Sequence, residues 1–199
     1  MIAKALTLLL SQLNQYIDSD DGGAGTAPDV VILGNIALAE NNSTSVNGTL
    51  NNVVLSLVNI EEEKRLKNSR HYIQQGNQTV YSNPPINLNL YLLFSASFDN
   101  YETALHRLSQ VIEFFQGKMV FDFSNSPGSG LTSDDPDVKE LRLILDIHTL
   151  NFEQINDLWG SLGGKQVPFV MYRTRLLVMR RDANTASAPA IEEISERSN

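Results

Sequence analysis

Residues 86–96 read INLNLYLLFSA. Ile86, Leu88, Leu90, Leu92 and Phe94 alternate with Asn87, Asn89, Tyr91, Leu93 and Ser95. That period of two predicts a β-strand with one wholly apolar face. Residues 101–116 follow with a different period. Tyr101, Ala104, Leu105, Leu108, Val111, Ile112 and Phe115 fall on one stripe at helical spacing, and Asp99 or Asn100 can cap the first turn. A clear strand followed by a clear helix starts an α+β reading, and the rest of the chain extends it.

Upstream, Ile2, Leu6, Leu9, Leu10, Leu13, Tyr16 and Ile17 predict an opening amphipathic helix. Lys4 before an apolar run is the beginning of a signal-peptide pattern. Ser11, Gln12 and Asn14 interrupt that run and no small-residue cleavage site follows. The protein is therefore expected to be made in the cytoplasm. A Gly-rich loop at Asp18–Pro28 ends the helix, and Val30–Leu33 is a short strand. Asn35–Leu50 reads as an excursion or weak hairpin. Val53–Ile60 is apolar on both faces, as in a central strand. His71–Ser82 reads as a polar hairpin turning at Gly76-Asn77.

Downstream, Met119–Phe123 is a short strand and Ser124–Pro136 a flexible loop. Leu141–His148 alternates as a half-exposed strand. Asn151 and Gln154 form a capping-box pattern before a helix carrying Phe152, Ile155, Leu158, Trp159 and Leu162. Gly163-Gly164 ends it, and Val167–Met179 is the last long strand. Residues 182–199 lack bulky residues and read as a flexible C-terminal tail. The expectation is one α+β domain over residues 1–181, with a mixed, largely antiparallel sheet and helices packed on it.

Composition narrows the function. The chain has 199 residues, 42% of them apolar, enough for a real core. With no cysteine, disulfides, thiolate metal sites and thiol catalysis are excluded. A net charge of −8 argues against a general nucleic-acid binder. No run of 18 apolar residues exists to span a membrane.

The search for chemistry finds little. His71, His106 and His148 make no metal-binding pair, and the glycines make no phosphate-binding motif. No cofactor or metal is expected. Asp146 and His148 share a strand face and could orient an imidazole for base catalysis, or could simply be an exposed face. A charge asymmetry is more informative. Lys165, Arg173, Arg175, Arg180 and Arg181 form a stretch without acids, and Glu61, Glu62 and Glu63 directly follow an apolar strand. Each patch reads as a solvated surface or as a charge-complementary protein interface.

Three segments taken together resemble a known family. They are LSLVNIEEEKRLKN (Leu55–Asn68), PPINLNLYLLFSA (Pro84–Ala96) and YETALHRLSQVIEFFQ (Tyr101–Gln116). Their order and spacing resemble the cap, or tail-terminator, proteins of extracellular contractile injection systems. These are phage-tail-like particles such as antifeeding prophages and Photorhabdus virulence cassettes. The Asn151–Leu162 helix with Trp159, the VPFVMYR entry to the last strand, the opening helix and VILGN (Val31–Asn35) continue the match. The resemblance implies an α/β sandwich like that of phage tail terminators and a non-enzymatic role. It implies a hexameric ring that closes the membrane-distal end of the inner tube and sheath of an extracellular particle. Sheath and inner-tube proteins would be its partners. Another tail-assembly component, or a soluble adaptor that forms no ring, is the alternative.

Overall fold

Strand pairing is decided by the segment quoted first. In the computed structural model it forms β5 (Ile86–Ser97), flanked by β2 (Asn52–Glu62) and β8 (Phe169–Met179). The described residues are 1–23, 29–41, 51–63, 72–75, 78–82, 86–132, 138, 141–163, 165–179 and 184–189. The main sheet has six strands in the order β1-β2-β5-β8-β7-β6, with β1 at Val31–Leu33, β6 at Val120–Asp122 and β7 at Arg142–Ile147. The β1–β2 pair is parallel and the other pairs are antiparallel. The mixed, largely antiparallel α+β expectation holds.

Helices α1 (Ile2–Asp20) and α2 (Tyr101–Gly117) cover one face. Their apolar stripes pack on Val53, Leu55, Leu90, Leu92, Phe94, Leu143, Leu145 and Tyr172. Fully burying a Leu or Phe side chain stabilises a fold by roughly 1.5–3 kcal/mol each, so this layer dominates the core. Phe115 of α2 sits at its centre, with ring centroids 5.4 Å from Phe94 and 4.8 Å from Tyr172. Burial there pushes the Tyr172 phenol up to about 12. Asn100 is the α2 cap, its side chain accepting from the Thr103 amide.

The opposite face carries a second, smaller core. There α3 (Phe152–Ser161) and a 3₁₀ turn (Ile36–Asn41) set Trp159 and Ile36 against Val54, Leu93 and Met171. The predicted capping box is present, with Asn151 and Gln154 bonding each other's amides. Leu93 thus serves the second core while Leu92 serves the first, as the alternation in β5 requires.

Several expectations need correction. Leu8 is buried, outside the α1 stripe read from the sequence. Tyr101, Leu105 and Ile112 lie on an exposed shoulder of α2. Phe152, expected on the core stripe of α3, is 92% exposed, because it opens the helix at a position turned from the sheet. The strand β2 runs on through Glu61 and Glu62 rather than stopping at Ile60, because both pair with β5. The loop after β6 is tied to α1, with Gln12 Nε2 donating to Pro127 O at 2.7 Å and Ser11 Oγ to Gly128 O at 3.0 Å.

A second, smaller sheet contains the predicted hairpin. It comprises β3 (Tyr72–Gln75), β4 (Gln78–Ser82) and β9 (Asn184–Pro189), in the order β3-β4-β9. The turn residues Gly76 and Asn77 lie outside the described residues. β9 falls within the segment read as a tail and pairs antiparallel with β4.

Candidate protein interface

Away from the α3 cluster, the described residues of this second sheet face are largely polar. A register shift between Leu57 and Asn59 creates this polar face. Before the shift, Leu55 and Leu57 pair with Phe94 and Leu92 and face the helices. After it, Asn59 pairs with Tyr91 and Glu61 with Asn89. One extra residue therefore turns the odd-numbered side chains of β2 to the other face.

Two cross-strand rows result. One runs Asn59, Tyr91, Arg173, Asp146, and the next runs Glu61, Asn89, Arg175, Ile144. The bonds between side chains are diagonal. Tyr91 Oη donates to Glu61 Oε2 at 2.9 Å, Asn89 Nδ2 to Glu63 Oε2 at 3.1 Å, and Arg175 Nη2 to Asp146 Oδ2 at 3.0 Å. Arg173 Nη2 lies 3.9 Å from the same Asp146 oxygen. Side chains two residues apart on neighbouring strands meet in this way on a twisted sheet.

The electrostatics follow from this layout. Burial raises the Tyr91 phenol, and its hydrogen bond to Glu61 and the charge there raise it further. The charges of Arg173 and Arg175 are shared on one carboxylate about 40% exposed. Among the described residues, the buried Nε atoms of both arginines have no hydrogen-bond partner. The face thus carries an acidic strip at β2, a basic strip at β8 and a single acid at β7.

The sequence-derived site residues distribute as follows. Glu61, Glu63, Arg173 and Arg175 come together on this face, though 110 or more positions separate the two pairs in the chain. Glu62 pairs with Leu88 and faces the other way. Arg180 and Arg181 lie outside the described residues. Tyr91 and Asn89 join the site without having been singled out. Their polar position on the second face of β5 was the available signal. The Asp146–His148 pairing considered for catalysis takes a different form. Asp146 is engaged by the arginines, and His148 packs edge-on against Tyr91 at 5.1 Å between ring centroids.

The polar groups of this arrangement tie strands to one another. The sequence profile of the Pvc16 N-terminal domain matches residues 5–193. The chain belongs to the Pvc16 N-terminal domain family. Solved structures share the fold of this Pvc16 N-terminal domain. One is the PVC sheath/tube terminator of an extracellular contractile injection system in its extended state. It has 13% identity and a TM-score of 0.55, and the match covers 100% of this chain and 64% of that one. Another is the anti-feeding prophage cap, an AFP tube terminating cap. It has 13% identity and a TM-score of 0.51, over 74% of this chain and 49% of that one. This chain spans 49% and 64% of the lengths of those two proteins, and at such identity the likeness is one of fold. No curated protein matches the sequence. The resemblance read from the sequence and the family agree. Among the described residues, no helix is long and apolar enough to cross a membrane.

Proposed function

We propose that this chain is a structural terminator cap of a contractile injection system, closing the membrane-distal end of the inner tube and sheath. The observation that carries the reading is family membership over residues 5–193, joined to a sheath/tube-terminator fold that covers the whole chain. Its partners are the sheath and tube proteins of one particle and further copies of itself. The copies form a ring, for which six is the expected number, and the chain acts without catalysis or cofactor. It is assembled in the bacterial cytoplasm and ends up on an extracellular particle.

A ring needs two different surfaces that meet head to tail. The polar face supports this role with an acidic strip on β2 and a basic strip on β8, separated by β5, and its Asp146, Arg173 and Arg175 side chains are about 40% exposed and open to a complementary charge pattern. Glu61, Glu63, Arg173 and Arg175 are its proposed contact residues.

The test is to tag the chain in its native host, purify the particles and locate the tag by gold-labelled electron microscopy. Gold at one end of sheathed rods supports the cap. Gold along the rods would assign another tail component instead. Recovery of the tagged chain without rods would leave the adaptor reading in its place.

A further inference from the structure

The small sheet has two outer strands, β3 and β9, one on each side of β4. Exposed edges invite pairing with another chain, and proteins usually blunt them with charges, proline or bulges. These edges are not blunted by charge. β3 reads YIQQ and β9 reads NTASAP, with no charged residue in either and proline only at the last position of β9. The one register irregularity on the β4–β9 ladder is in β9 itself, where Ala186 pairs with Tyr81 and Asn184 with Ser82, so Thr185 is the extra residue; beyond it, residues 186–189 keep a regular ladder and offer an unbulged edge. Among the described residues no strand pairs with the outer side of β3 or β9.

Direction adds a second constraint. β4 is antiparallel to both neighbours, so β3 and β9 run the same way. In a head-to-tail ring each copy is rotated about the ring axis and is not inverted. Set side by side in that manner, β9 of one copy meets β3 of the next in parallel. A two-fold dimer would instead bring β3 to β3, or β9 to β9, antiparallel.

We propose that β9 of one copy adds to β3 of the next, so that the small sheets join edge to edge around the ring. This rests on the ring reading above and names the contact that closes it. The location suits the role. The hairpin leads into β5 and β9 follows β8 at the end of the main sheet where Ile86 pairs with Met179. The polar rows at Asn89 and Arg175 lie on the half of the main sheet next to that end, so side-chain and backbone contacts can act together.

The chain has no cysteine, which permits a clean cross-linking test. One cysteine is placed in β3 (Ile73→Cys or Gln74→Cys) and one in β9 (Thr185→Cys, Ala186→Cys, Ser187→Cys or Ala188→Cys). The pairs are scanned in the full chain on purified particles. Within one copy these strands are two strand spacings apart, about 9.6 Å. A disulfide needs Cα atoms within about 7 Å, so only neighbouring copies can link. The expected result is one or two pairs that give a ladder of covalent multimers on mild oxidation, collapsed by reductant, while single-cysteine chains stay monomeric. Chain present at the particle end with no ladder from any pair would overturn the edge contact and leave the cap reading standing. Efficient dimers from single-cysteine chains would overturn it in favour of a two-fold contact. Absence of the chain from the particles would remove the cap reading, and this inference with it.

Discussion

Tyr91 bonds Glu61 at 2.9 Å although its cross-strand partner is Asn59. The bond exists because the shift after Leu57 turns Glu61 away from the helices and towards Tyr91. A hydroxyl on β5 therefore anchors the acidic end of β2, and the Tyr91 ring in turn supports His148.

Removing that hydroxyl should have a small, measurable effect. Tyr91→Phe keeps the ring against His148 and deletes one hydrogen bond to a charged, exposed acceptor. A loss of about 0.5–1.5 kcal/mol is expected, seen as a lower urea midpoint with an unchanged slope. Glu61→Gln should lower the Tyr91 phenol towards 10 without restoring it fully, since burial is the larger cause. Ultraviolet titration of the tyrosines checks this; a Tyr91 unmoved by Glu61→Gln would contradict the geometry.

The two aromatic residues of α3 should behave oppositely. Trp159 is buried against Phe169, with 5.5 Å between ring centroids, and belongs to the second core. Trp159→Ala should cost about 3–5 kcal/mol in thermal or denaturant unfolding. Phe152→Ser removes a 92% exposed side chain and should change stability by less than about 0.5 kcal/mol. Equal losses would mean that α3 docks in another rotation.

This contrast also shows what the sequence could convey. The strand at residues 86–97, the helix at 101–117 and the capping box at Asn151 rest on period and local chemistry, and all three were legible. Phe152 was misjudged because helical spacing specifies a stripe but not where a helix meets the sheet. Leu8 was missed because α1 is buried over a wider arc than its strongest stripe. The polar face was visible only as two distant charge patches. Joining them required the pairing of β2, β5 and β8 and a one-residue shift in register, and neither leaves a periodic trace. The strand in residues 184–189 is built from Ala, Ser and Thr, and its partner hairpin lies about 100 residues earlier, so local propensity is silent.

Gly128 should be costly to replace. Its φ is +73°, a region that an L side chain adopts at a cost of roughly 1–2 kcal/mol. An added Cβ would also lie 2.7 Å from Gln15 Nε2, the atom that donates to Gly128 O at 3.1 Å. Gly128→Ala should therefore destabilise the loop by about 2 kcal/mol, and Gly117→Ala, where a Cβ meets nothing, should not. Hydrogen exchange at residues 125–130 would locate the effect.

Acid should release the end of α1 from α2. Burial works upward on Asp21, but hydrogen bonds from Gln110 and Arg107 and the Arg107 and His106 charges outweigh it. Its carboxyl is held below 3.8. Arg107 Nη1 lies 2.6 Å from Asp21, and buried Gln110 donates to Asp20 and Asp21. A folded-state pKa below the unfolded one gives stability that is fully present above the unfolded value and lost as pH falls through the folded one. Asp21→Asn should thus be less stable than wild type by about 1 kcal/mol at pH 7, with the gap closing below about pH 4. Urea midpoints at pH 7, 5 and 3 measure it, and a gap that widens in acid would refute the assignment.

Charge exchange on the polar face separates folding from assembly. Arg173→Glu with Arg175→Glu leaves Asp146 facing two acids, so lost ring formation by that variant would mix a broken internal tie with a broken contact. Adding the opposite change restores the internal pairing. In the triple variant Asp146→Arg, Arg173→Asp, Arg175→Asp, the basic strip becomes acidic while the direct 146–173 pair and the diagonal 146–175 pair both keep unlike charges. Because all three side chains are about 40% exposed, its stability should stay within about 1 kcal/mol of wild type. Its pattern towards a neighbour is inverted, so occupancy of the particle end should fall at least tenfold, the equivalent of about 1.4 kcal/mol. Melting temperature and gold-labelled particle counts report the two quantities separately. Normal occupancy in the triple variant would remove this face from the ring contact and leave its charges with the single task of tying β7 to β8.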